Sequence, residues 1–144
     1  MQKEILDFIN TQKTCVLSVE MMDGSPHAAT VHFALDENTS TFYFETYREY
    51  RKCEALFGRE VSRASVVIGC DENTMKTFQM DGEVSLLKSE QEKETFEKVY
   101  LDKFPSKREK YKDPKFVPFS FTPKWWRFTD WTALGGKLIL SSKN

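Results

Sequence analysis

Three residues in the stretch TFYFETYREYRKCEAL, Thr41 to Leu56, have the types and spacing to hold a phosphate: Thr46, Arg51 and Lys52. A phosphate is held by donors that cost little to desolvate, namely hydroxyls, backbone N–H groups at a helix start, and Arg or Lys. Here a hydroxyl stands at the end of an alternating segment, and two adjacent cations follow where the spacing turns helical. Taken alone, a basic pair in a short exposed helix is more often a solvated face than a ligand site. The stretch is therefore a candidate on residue types and nothing more.

Other chemistry is sparse. There is no GxSxG elbow, no HExxH, no Walker loop and no GxGxxG. The only histidines, His27 and His32, stand five apart. In one strand that spacing puts them on opposite faces, so they cannot share a metal. The acidic pair Asp71-Glu72 falls in a turn, where carboxylates are solvated. Cys15, Cys53 and Cys70 form no CxxC pair. They read as reduced thiols in or near a core, and no metal site is expected.

The elements that must position Thr46, Arg51 and Lys52 follow from periodicity. A helix is expected over Lys3 to Gln12, with Ile5 and Ile9 on its apolar face. Thr14 to Met21 alternates, Asp23-Gly24 is a tight turn, and a second strand runs from about His27 to Leu35. The third strand begins at Thr41, with Phe42 and Phe44 facing opposite to Tyr43 and Glu45. A short helix is expected over Tyr50 to Phe57.

Two further strands, Ala64 to Cys70 and Met75 to Leu87, follow, and Gly82 marks a bulge or a close approach to the backbone. Ser89 with Glu92 is a capping box opening a helix that Pro105 ends. Lys107 to Asp113 reads as a solvated segment of mixed sign. Phe116 to Phe121 and Trp125 to Trp131 are the last strands, and Gly135-Gly136 turns into a final short apolar segment, Leu138 to Leu140. Six or seven strands in hairpin succession with about three helices favour an antiparallel barrel over a βαβ fold, in one domain spanning 1–144.

Composition agrees. The chain has 144 residues with 40 % hydrophobic content, enough for one core. Its 12 Phe, 5 Tyr and 3 Trp suit strands and also flat-ligand pockets. A net charge of -1 gives no counterion-release footprint, so nucleic acid is not an expected partner. No apolar run is long enough for a membrane span, and the N-terminus does not read as a signal peptide. A cytoplasmic location is the default expectation.

The order of these pieces carries a resemblance. VLSVEMMDGSPHAATVHFALDENTSTFYFET, then REYRKCEAL, VVIG and FQMDGEVSLL, resemble the pyridoxamine-phosphate oxidase-like family of flavin-binding split β-barrels. The family pattern has a third strand ending in Thr and, six residues on, a Lys preceded by Arg, as Thr46 and Arg51-Lys52 stand here. The resemblance covers about Thr14 to Trp131, and its specificity lies in the order of short motifs.

It implies a mainly β Greek-key split barrel and a homodimer with FMN in clefts between the subunits. Thr46, Arg51 and Lys52 become phosphate ligands. Val31, His32 and Phe33 become contacts along the ring or ribityl chain, Gln79 a polar contact to the ring, and Trp126 or Trp125 a contribution from the partner subunit. The true oxidases carry an Arg where this chain has Ala29-Thr30, and end in an Arg-rich signature that TALGGKLILSSKN lacks. Pyridoxamine phosphate is therefore not the expected substrate.

The function expected is an FMN-dependent oxidoreductase acting on an unidentified small molecule, with a nicotinamide donor as a possible second substrate and His32 as the first candidate proton donor. The alternatives are a flavin- or haem-binding carrier or stress sensor without turnover, with His27 or His32 as axial ligand, and a deazaflavin-using reductase of the same fold.

Overall fold

The computed structural model describes residues 1–69 and 71–143. The strand expected to reach Cys70 ends at Ile68, and Cys70 itself lies outside the described residues. Among the described residues there are eight strands: β1 (Thr14–Glu20), β2 (Pro26–His32), β3 (Ala34–Asp36), β4 (Thr41–Tyr47), β5 (Ser62–Ile68), β6 (Lys76–Leu86), β7 (Phe116–Asp130) and β8 (Leu138–Ser141). Three α-helices accompany them: α1 (Lys3–Asn10), α2 (Cys53–Gly58) and α3 (Glu90–Lys103).

All pairings are antiparallel, in the order β2-β1-β5-β6-β7-β4-β3, with β8 also on β7. The two ends of that order, β2 and β3, are consecutive in the chain and joined only through Phe33. That join forces the sheet to curl on itself, although no ladder links β2 to β3 among the described residues. The result is the split barrel that the resemblance implies.

Two expected boundaries move in opposite directions, and the final apolar segment pairs as β8. The segment expected as His27 to Leu35 breaks at Phe33, whose ring is fully buried and whose N–H bonds Lys13 O at 3.2 Å. Conversely, the two strands expected around Pro118 and Pro123 are a single 15-residue β7. Pro118 lies beyond the last β6 pair, Leu86–Phe119, so that side has no ladder to break. Pro123 sits opposite Gly82, where the register already shifts. The close approach expected at Gly82 is real: a Cβ there would lie 2.2 Å from Thr122 O and 2.9 Å from the Phe121 ring.

The barrel interior is aromatic and aliphatic. Leu17, Val66, Phe78, Phe44, Phe119 and Phe128 are each at most 1 % exposed, and Ile5, Phe8 and Ile9 of α1 plug one end. A second cluster lies outside β3 and β4, where Phe96, Tyr100 and Leu101 of α3 pack on Ala34, Tyr43 and Phe116. Strand β4 is therefore buried on both faces, Phe42 and Phe44 inward and Tyr43 outward. The capping box forms, with Ser89 Oγ accepting from Glu92 N–H at 3.1 Å and the Glu92 carboxylate accepting from Ser89 N–H at 2.9 Å.

Strand β2 is the exception. None of its residues is fully buried, whereas Cys15, Leu17 and Val19 of the neighbouring β1 all are. Its outer face continues across the sheet as an uncovered row: Thr30, Val16, Val67, Gln79 and Arg127 stand side by side on β2, β1, β5, β6 and β7.

Candidate functional site

Alternation along β4 sends Glu45 and Thr46 to opposite faces. Thr46 is 2 % exposed. The chain then turns before any helix begins: Tyr50 N–H bonds Tyr47 O at 3.0 Å, Cys53 N–H bonds Tyr50 O at 2.9 Å, and Arg48 N–H ties the turn to Lys115 O at 2.8 Å. Helix α2 starts only at Cys53. Arg51 and Lys52 thus precede the helix rather than ride on it, which corrects the expected Tyr50 to Phe57 span.

The turn brings Lys52 back over Thr46. The ammonium donates to Thr46 Oγ1 at 3.2 Å, and the residue is only 6 % exposed. No carboxylate lies within ion-pair distance of it among the described residues. Burial pushes the Lys52 pKa down, opposed by the Cys53 thiol and the Glu45 charge. The Tyr50 ring lies 5.2 Å from the ammonium. Cys53, also buried, donates its thiol to Tyr47 O at 3.2 Å, and burial raises its pKa.

Arg51 faces elsewhere. It is exposed and lines a cavity of about 350 Å³ with Arg48, Tyr50, Cys53, Phe57 and the carboxylates Glu49 and Glu54. Its charge also reaches Asp23 in the β1–β2 turn, whose pKa is lowered chiefly by bonds from Ser25.

The other expected residues are spread over the sheet. Val31 is half-buried against the core. His32 is exposed, with its ring edge on Phe104 at 5.0 Å. Burial and then the Lys107 charge lower its pKa, with Glu45 opposing. Phe33 turns its ring wholly into the core, leaving only its backbone for a ligand. Gln79 is exposed on the outer face, three strand spacings from Thr30, about 14 Å at ~4.8 Å per strand. Within one chain it is not beside Thr46 and Lys52. Trp126 packs inward on Phe78 at 5.7 Å and is tied to Ser142. Trp125 is on the outer side, with the Arg127 guanidinium 5.7 Å from its ring.

Sequence reasoning missed a cluster near His32. Lys107 pairs with Glu45 at 2.5 Å, their side chains 17 % and 9 % exposed. Lys103 is half-buried, its pKa lowered to about 8 by burial. Tyr100 Oη is buried without a partner among the described residues. The Glu45–Lys107 contact spans 62 residues, so no local pattern could have revealed it.

The arrangement can therefore receive an anion at Lys52. A buried ammonium beside a hydroxyl, with no carboxylate, is the donor set a phosphate monoester fits. The described residues hold no group of three or more His, Cys, Asp or Glu suited to a metal, and no helix is long and apolar enough to cross a membrane.

Comparisons with known proteins agree on the frame. A family model described as pyridoxamine 5'-phosphate oxidase matches residues 1–130. A crystal structure of a putative pyridoxamine 5'-phosphate oxidase from Listeria innocua is similar at 24 % identity and TM-score 0.68, over 87 % of this chain and 94 % of that one. A heme binding protein from Mycobacterium smegmatis is similar at 11 % identity and TM-score 0.71, over 94 % of this chain and 55 % of that one. The heme storage protein HutZ from Vibrio cholerae is similar at 15 % identity and TM-score 0.68, over 85 % and 89 %. No curated protein matches the chain by sequence.

Proposed function

The chain belongs to the pyridoxamine 5'-phosphate oxidase family, and from that premise we propose that it is an FMN-dependent oxidoreductase acting on a small molecule other than pyridoxamine phosphate. The observation that carries the reading is Lys52: it is 6 % exposed and, among the described residues, its ammonium bonds a hydroxyl and no carboxylate. An isolated buried ammonium is costly, and a dianionic phosphate placed against it removes that cost. Thr46 accepts from the ammonium through its oxygen, and its hydroxyl, which also interacts with the Cys53 sulfur, can turn its proton to a phosphate. Arg51, exposed at the same turn, adds a second cation from the solvent side.

FMN, when bound, supplies the hydride or electron chemistry itself. The chain's own residues bind and orient it. Strand β2 offers the open edge, with Val31, His32 and the Phe33 backbone, along which a flat ring would lie. His32, held toward its neutral form, can take a proton from a bound substrate at an imidazole nitrogen.

A homodimer completes the proposal. The row Thr30, Val16, Val67, Gln79 and Arg127 has no helix over it, and Gln79 and Trp125 lie too far from Thr46 to serve a site in their own subunit, since Thr46 pairs with Val117 while Gln79 pairs with Arg127 at the far end of β7. A second subunit on that face would bring them to the neighbouring grip. A deazaflavin with the same phosphate would satisfy the same donors.

One observation favours a second reading, a haem-binding protein without turnover. The exposed His32 imidazole is pushed toward its neutral form, the form that ligates iron. The absorbance spectrum of the purified protein separates the two readings. A flavin spectrum that bleaches with dithionite supports the first. A Soret band gained with haemin, lost in His32→Ala, and no affinity for FMN would overturn it.

A further inference from the structure

The turn that carries Arg51 also opens a cavity that a phosphate at Lys52 leaves unfilled. Its volume is about 350 Å³, within the range of pockets that hold drug-sized ligands. The cavity and the phosphate grip share a wall. The buried Cys53 lines the cavity and interacts with the Thr46 hydroxyl. The Tyr50 ring lines it too and lies 5.2 Å from the Lys52 ammonium.

The remaining lining suits a ligand larger than a phosphate. Tyr50 is 54 % exposed, yet its ring is held perpendicular to that of Tyr47, with centroids 6.1 Å apart. Phe57 is 43 % exposed, and the Arg48 guanidinium lies 3.4 Å from its ring centroid. Arg48 is therefore ordered by a ring and not by a counter-charge. Among the described residues neither Arg48 nor Arg51 has a carboxylate within ion-pair distance, and neither Glu49 nor Glu54 is in an ion pair.

These groups match the parts of an adenosine phosphate. Guanidinium forks bind phosphate oxygens. An exposed aromatic ring offers its face to a purine. A carboxylate accepts from ribose hydroxyls. The two glutamates also disfavour a ligand that is acidic along its whole length, which two arginines alone would welcome.

We propose that this cavity holds the adenosine phosphate end of a dinucleotide, so that the site takes FAD as well as FMN. The first phosphate lies at Thr46 and Lys52, the second at Arg51 and Arg48, and the adenine against Tyr50. The place of the first phosphate rests on the flavin reading, whereas the adenosine end can be tested apart from it. Arg48 is already ordered by Phe57, so less side-chain entropy is lost on binding.

The test is isothermal titration calorimetry of the flavin-free protein with FAD, FMN and ADP. FAD should bind about tenfold tighter than FMN, the gain expected of one stacked base. Tyr50→Ala and Arg48→Met should each reduce that preference and leave FMN binding unchanged, whereas Tyr50→Phe keeps it. FAD binding no tighter than FMN, or a preference that survives both substitutions, overturns the proposal and leaves the flavin reading standing. If neither flavin binds, the flavin reading falls. ADP binding that Tyr50→Ala weakens would then keep the adenosine site, and no ADP binding would overturn it as well. Both substituted side chains are exposed, and the wild-type comparison of FAD with FMN decides even where a variant fails to fold.

Discussion

Two lysines flank β4 on opposite faces and differ in one respect. Lys107 reaches Glu45 and forms an ion pair with both side chains largely buried. Lys52 reaches Thr46, one residue further, and finds a hydroxyl. Both charges are withdrawn from water, yet among the described residues only Lys107 has a carboxylate within ion-pair distance. Burial alone therefore does not single out a candidate site here. What singles out Lys52 is that no carboxylate pairs with it among the described residues.

The largest effects expected follow from removing each lysine's role. Lys52→Met should weaken FMN binding about 100-fold, ~3 kcal/mol, while the melting temperature of the flavin-free protein holds or rises, because an uncompensated buried charge is gone. A fall in both would make Lys52 structural and break the comparison. Glu45→Gln should do the reverse. It strands the Lys107 ammonium and costs about 3 kcal/mol in chemical denaturation, leaving the Lys52 end of the site intact. Pairing it with Lys107→Met should restore most of that loss, and a double variant as unstable as the single would contradict a charge-based account.

A smaller effect sharpens the contrast with a neutral group. Tyr100 Oη is buried without a partner among the described residues, and burial pushes its pKa far up. Tyr100→Phe should leave stability unchanged or raise it by up to about 1 kcal/mol, whereas a loss would mean that the hydroxyl has a partner such as water. The smallest effect concerns pH. The His32 pKa lies below its ordinary 6.5 when folded, so the unfolded chain binds the proton more tightly. Its contribution is fully present above 6.5 and declines as pH falls toward the folded value. His32→Gln should flatten that slope, and a slope that steepens would contradict a His32 pKa lowered chiefly by burial.

How far the chain could be read in advance differs between these regions for physical reasons. Alternation fixed which β4 side chains face the barrel, and Gly82 and Ser89-Glu92 announced a bulge and a helix start through local stereochemistry. Lys52 meets Thr46 because a tight turn closes the six-residue step between them. The start of α2 was misread because residues 48–52 spend their backbone bonds on turns, which apolar spacing does not register. Pro118 and Pro123 read as strand ends, although one lies past the β6 ladder and the other at a register shift. Lys107 read as solvated because its partner is 62 residues away. Trp126 read as available to a partner, but Phe78 and Ser142 hold it inward, a matter of cross-strand packing.

The most direct test of the central claim is a comparison of FMN with riboflavin, which differ only by the phosphate, titrated by fluorescence quenching into the wild type and Lys52→Met. The account predicts that the wild type prefers FMN about 100-fold or more, ~3 kcal/mol, and that the variant binds the two nearly alike. Equal affinities in the wild type, or a preference that survives the loss of Lys52, would contradict it.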